Sequence, residues 1–166
     1  MSLRVGDYVR YADYRAHFDA DVARPPVLWR RKDLLKVLDA ADKDERGTVA
    51  LSSTGTIDGL TIMDGLSMTV QVVPAGSSTR LHSHSWWHLF IIQSGHGVVW
   101  FGDGGDEAPV QAGDLLLVPA CSDHAFRCSS EDALVMAVLG NLPQQARLSN
   151  KLAREPGDPM AVGKRA

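Results

Sequence analysis

The chain has 166 residues, a formal charge of −3 and scattered basic residues, which excludes the concentrated positive field a nucleic-acid partner would need. A chain of this length can bury a core of its own, and two cysteines do not make a disulfide framework. No apolar run approaches the roughly 20 residues of a membrane span, and Met1 to Asp7 lacks the apolar stretch of a secretory signal. The expected setting is therefore cytoplasmic, with no membrane and no nucleic acid as partner.

Residues 1–48 read as an N-terminal extension with one helix. Pro25-Pro26 marks an extended connection. Trp29 to Ala41 then places Leu34, Leu38 and Ala41 on one helical face, with Gly47 as its stop. Arg30-Arg31-Lys32 reads as the solvated first turn of that helix.

Residues 49–142 change character. Short β-rich runs follow one another every 8–12 positions, separated by turn residues. Leu66 to Val72 alternates apolar and polar side chains, as a half-buried strand does. Further runs are His88–Gln93, Gly97–Phe101, Asp114–Val118, His124–Cys128 and Ala133–Leu139. Gly102 to Asp106 reads as a hairpin loop, while Pro74-Ala75-Gly76 and Pro119-Ala120 punctuate the others. No long helix interrupts the series, so an all-β antiparallel double-sheet barrel is expected rather than a parallel sheet. In residues 143–166, Pro143 to Ala153 offers one short helix, and the stretch from Glu155 onward reads as a loose tail.

The histidines are the anomaly. Four of the six lie between positions 82 and 96. His82 and His84 are two apart in a β-rich stretch, so an extended backbone points both imidazoles to one face. His88 and His124 come from neighbouring runs, and adjacent strands can converge such ligands on one divalent ion. His17 reads as an ordinary polar residue, and His96, between two glycines, as a turn residue.

The full spacing is Gly76-x5-His82-x-His84-x3-His88-x6-Gly95, then Gly113-x5-Pro119-x-Cys121-x2-His124. It resembles the two motifs of the cupin superfamily, G-x5-H-x-H-x3,4-E-x6-G and G-x5-P-x-G-x2-H-x3-N. His88 stands where the family usually has glutamate, Cys121 replaces a glycine and Cys128 the terminal asparagine. The resemblance implies a single-domain cupin, a jelly-roll-like barrel with a short N-terminal helical extension. It further implies a homodimer and a four-histidine metal site of His82, His84, His88 and His124. Iron or manganese is the favoured ion; nickel, copper and zinc also suit imidazole.

Four neutral imidazoles leave the ion its full +2 charge, which favours a small anionic chelating molecule as partner. Alternation places Phe126 and Cys128 on the face of His124, and Phe90 and Ile92 on that of His88, as pocket walls. Trp86 and Trp87 sit in a turn near the mouth, to gate access or pack against a partner. Cys121 and Cys128 read as small buried residues. Arg80 and Arg127 are either substrate-carboxylate ligands or surface charges. No nucleophile elbow, P-loop or carboxylate pair occurs, and no catalytic residue is assigned.

The expected function is a metal-dependent, dioxygenase-like oxygenase. The alternatives are a non-oxidative isomerase, decarboxylase or lyase, and a non-catalytic ligand-binding barrel. The non-oxidative reading wants a proton-transferring group, for which His96 or an N-terminal tyrosine is the only candidate from sequence.

Overall fold

Alternation along Ser67–Val73 sets the pattern that the second half of the chain follows. In the computed structural model, which describes residues 9–20, 25–39, 47–102, 105–148 and 153–154, ten strands appear. They are β1 Thr48–Ala50, β2 Ser67–Val73, β3 Ser83–His84, β4 His88–Ser94, β5 His96–Phe101, β6 Glu107–Gln111, β7 Leu115–Val118, β8 His124–Cys128, β9 Leu134–Gly140 and β10 Ala153–Arg154. The α-helices are α1 Tyr11–Ala20, α2 Arg31–Asp39 and α3 Leu142–Leu148, and a short 3-10 turn spans Ile57–Leu60. Contacts divide the chain into residues 1–30 and residues 31–166, each described by itself.

In the first unit, α1 is a helix the sequence did not announce. Its one helical-spacing set, Tyr11, Tyr14 and Phe18, is a weak signal in a short polar and aromatic stretch. Its start is held instead by the Arg10 guanidinium, which donates twice to the Asp13 carboxylate at 2.8 and 2.9 Å. Asp13 also lies in the first turn, where a negative charge favours the helix dipole.

The second unit opens with α2, inside the expected Trp29–Ala41 span; Ala40 and Ala41 lie outside the described residues. The barrel follows. A five-stranded sheet runs β1-β2-β9-β4-β7 and faces a three-stranded sheet, β6-β5-β8; the described pairings are all antiparallel. Val73, Phe90, Ile92 and Met136 from one sheet meet Val99, Val110, Phe126 and Cys128 from the other in a single core cluster. Burying each large apolar side chain there contributes about 1.5–3 kcal/mol.

Register explains what stands at the end of this core. Ser67 and His88 both pair with Gly140, and Thr69 and Phe90 with Val138, while Gln71 and Ile92 both pair with Met136. Successive rows on the inner face of the large sheet therefore change from polar side chains and imidazole to hydrocarbon. The outer face stays apolar at its β7 edge, where Leu115 and Leu117 are 68% and 60% exposed.

Two connections differ from expectation. The helix after β9 is described over Leu142–Leu148 and residues 149–152 lie outside the described residues, while Ala153, expected at the helix end, pairs with His84, and Arg154 with Ser83. Backbone groups at the edge of a two-residue strand need partners, and this return of the chain supplies them. β6 escaped notice because Pro109 breaks its pattern and only Val110 is buried; proline is tolerated there because β6 is an edge strand. No described helix is long and apolar enough to cross a membrane.

Candidate metal centre

His82 and His124 belong to adjacent chain segments that exchange backbone hydrogen bonds, His82 N–H to His124 C=O at 3.2 Å and the reverse at 2.9 Å. His84 follows His82 at the two-residue period, so its ring lies on the same face, 5.7 Å from that of His82 between centroids. Ser83 between them is buried on the opposite face. One ring nitrogen from each of His82, His84 and His124 lies within 4.8 Å of the other two, and all three residues are buried.

The second nitrogen of each ring decides what the first can do. Nδ1 of His82 lies 2.9 Å from the Arg80 carbonyl oxygen, that of His84 2.7 Å from Trp86 C=O, and that of His124 2.8 Å from Ser122 C=O. A carbonyl only accepts, so each Nδ1 donates, and in the neutral ring this leaves the lone pair on Nε2. Main-chain carbonyls holding the outer nitrogen are the usual support of histidine metal ligands. The donor set thus fits a divalent transition-metal ion, which takes neutral imidazole nitrogen.

His88 stands beside this cluster and is not part of it. Its ring centroid is 4.4 Å from that of His84 and 6.3 Å from that of His124. The Trp86 indole N–H donates to His88 Nε2 at 2.7 Å, and the same indole stacks on His84 at 3.9 Å and 7°. Among the described residues, then, the expected set of four is arranged as three plus one.

A cavity of about 200 Å³ opens over the four rings. Trp86, Phe90, Val138 and Leu142 supply its apolar lining, and Thr48, Ser67, Thr69 and Gln71 its polar wall. No charged side chain is among the described residues that line it. Of the expected walls, Trp86 and Phe90 are present. Ile92, Phe126 and Cys128 do point inward, as alternation requires, but one or two rows deeper, where they pack into the core. The polar wall was missed in the sequence because the alternation along Leu66 to Val72 reads with its apolar residues inward, whereas Ser67, Thr69 and Gln71 line the cavity.

Other candidates fall away from the cavity. Arg80 and Arg127 are exposed, and Arg127 lies 3.8 Å from Glu107 on the surface. His96 is exposed at the start of β5. The side chain of His17 and the N-terminal Tyr8 and Tyr14 side chains lie outside the described residues. Cys128 is buried, but Cys121 is exposed, contrary to expectation, because it sits in a turn with φ of 63°. Sequence reading also passed over Asn141, whose buried side-chain oxygen accepts the Trp87 N–H at 3.0 Å and so ties the 85–87 turn to the end of β9.

Residues 69–140 match the family model of the cupin domain. No curated protein sequence matches the chain. Among solved structures, a cupin 2 conserved barrel domain protein from Rhodopseudomonas palustris is 23% identical over 57% of this chain and 59% of its own, with a TM-score of 0.46. A similarly described protein from Salinispora arenicola is 19% identical over 70% of this chain and 89% of its own, at 0.52. Salicylate 1,2-dioxygenase from Pseudoaminobacter salicylatoxidans, in adducts with gentisate, is 17% identical over 91% of this chain, at 0.61. The chain spans 59% of the length of the Rhodopseudomonas structure and 37% of the dioxygenase. The segment carrying His82, His84, His88 and His124 thus matches the cupin domain, and the barrel built around it has the cupin fold.

Proposed function

We propose that this barrel is a metal-dependent oxygenase acting on a small anionic chelating substrate. His82, His84 and His124 would hold the ion, with His88 as the fourth imidazole of the set. The observation that carries this reading is the shared tautomer of three buried rings, each with Nδ1 committed to a main-chain carbonyl. A divalent ion in such a site, iron or manganese by preference, supplies an undiminished +2 charge and redox chemistry at positions the protein leaves open.

The rest of the site is the chain's own work. Trp86, Phe90, Val138 and Leu142 give the cavity an apolar side, and Ser67, Thr69 and Gln71 offer neutral hydrogen-bonding groups. Without a charged side chain in the described lining, a substrate is best served by carrying its charge at the end that faces the imidazoles. The fold is shared with a salicylate 1,2-dioxygenase that holds gentisate, and that likeness extends to architecture alone.

One observation favours a second reading, a non-oxidative isomerase, decarboxylase or lyase. His88 lines the cavity outside the three-ring cluster, where an imidazole can pass a proton. This supplies a group that the sequence did not offer.

Metal analysis of protein purified without a polyhistidine tag or chelator, followed by oxygen-electrode assays with α-hydroxy acids and catechols, tests both. Near-stoichiometric redox-active metal with substrate-dependent oxygen uptake supports the oxygenase. Metal without oxygen uptake, but with anaerobic turnover, selects the second reading. Failure to bind any divalent metal after reconstitution sinks both.

A further inference from the structure

His88 Nε2 accepts the Trp86 indole proton at 2.7 Å, and it cannot offer that same lone pair to a metal. The indole has no other hydrogen-bonding role to choose, since it is a donor only. Its place is fixed by the stack on His84, nearly parallel at 7°. The turn that carries it is fixed by the bond from Trp87 N–H to Asn141. His88 is held from its other side as well. It lies flush on the bare backbone of Gly140, where a Cβ would come within 2.7 Å of His88 Cδ2.

We propose that Trp86 is a positioning residue that competes with the metal for His88 Nε2. The centre then holds its ion with His82, His84 and His124, and His88 becomes a fourth ligand only when the indole N–H is withdrawn. The inference rests on the metal-site reading above and deepens it. Its consequence is a choice in the number of positions the protein fills, three or four, and so in how many a chelating substrate can take. Because Trp86 also lines the cavity, an occupant that draws the indole aside would change that number.

The test is a two-by-two set: wild type, Trp86→Phe, His88→Ala and the double variant, each titrated with cobalt(II). Affinity and the d–d absorption spectrum are both read. Phenylalanine keeps an aromatic ring to stack on His84 and removes the donor together with part of the indole's bulk, and the His88→Ala comparison in the same background separates the two. Trp86→Phe should bind cobalt about three- to tenfold more tightly, the worth of one displaced hydrogen bond, with a changed d–d spectrum. His88→Ala should leave the wild-type affinity within about threefold, and should erase the whole gain in the Trp86→Phe background. Equal losses from His88→Ala in both backgrounds would overturn the proposal, as would a Trp86→Phe protein with unaltered affinity and spectrum. If wild type binds no cobalt, the metal-site reading has failed and the inference fails with it; the other negative results leave that reading standing.

Should Trp86→Phe not fold, long-range proton–nitrogen spectra of the wild-type imidazoles decide. One equivalent of zinc(II) should shift Nε2 of His82, His84 and His124 while His88 Nε2 and the Trp86 indole N–H stay put. Movement of all four rings together at that first equivalent overturns the proposal.

Discussion

His82 and His124 are neighbours by backbone before they are neighbours by side chain. Their main chains exchange two hydrogen bonds, and their rings lie 4.5 Å apart. The site's frame therefore belongs to the strand pairing and survives the loss of either imidazole. His124→Ala should fold, with stability lowered by about 1–3 kcal/mol for the unfilled space and the orphaned Ser122 carbonyl. Its metal affinity should drop by more than the roughly 10–100-fold that outer supporting contacts usually account for. Thermal denaturation without metal and a competitive metal titration separate the two effects. An unfolded apo variant would show that the ring, and not the backbone ladder, holds the frame.

Much of this was written in the sequence because it depends on short periods. Alternation marked β2, and short β-rich runs between turn residues marked β4, β5, β7, β8 and β9, each to within a residue or two, while the H-x-H spacing placed His82 and His84 on one face. What stayed hidden depends on long-range register. Gly140 pairs with both Ser67 and His88, a relation spanning more than fifty residues that no local pattern encodes. The Trp86 to His88 bond is close in sequence yet equally illegible. Whether an indole two positions away reaches the ring depends on how Asn141 turns the intervening backbone. The two-residue strands β3 and β10 are too short to carry any period at all.

Cys121 stands where the resembled motif has glycine, and the reason for the glycine is visible. Its φ is 63°, in the left-handed region, while its N–H is held by the His84 carbonyl at 2.7 Å. A side chain there costs about 1–2 kcal/mol, and glycine returns part of that gain through a freer unfolded chain. Cys121→Gly should thus raise stability by up to about 1 kcal/mol, and Cys121→Val should lower it by about 1–2 kcal/mol, since branching at Cβ worsens the strain. Chemical denaturation of the two variants checks the order. A glycine variant less stable than wild type would mean that the thiol makes a compensating contact.

Gly140 gives a prediction that links packing to the site. A Cβ at this position meets His88 Cδ2 at 2.7 Å and the Trp87 carbonyl oxygen at 3.1 Å, so one of them must move. Backbone is the stiffer of the two, and the ring is the part that yields. Gly140→Ala should cost about 1–3 kcal/mol as overpacking. It should also shift the His88 and Trp86 side-chain resonances while leaving those of Phe126 and Cys128, deeper in the core, unchanged. A variant of wild-type stability with unmoved His88 signals would show that β9 has room to give.

Gln71 separates substrate binding from metal binding. It lies on the polar wall of the cavity, 6% exposed, on β2 rather than on the segments that carry the histidines. Leucine at that position preserves volume and removes both the donor and the acceptor. Gln71→Leu should therefore retain its metal content, because the carbonyls that hold Nδ1 of His82, His84 and His124 belong to Arg80, Trp86 and Ser122. Its affinity for an α-hydroxy acid chelator should fall about five- to tenfold, the worth of one hydrogen bond of about 1–1.5 kcal/mol. Calorimetry on metal-loaded protein reads both quantities in one preparation. Lost metal would make Gln71 a support of the centre, and unchanged chelator affinity would move the substrate's neutral end to Ser67 and Thr69.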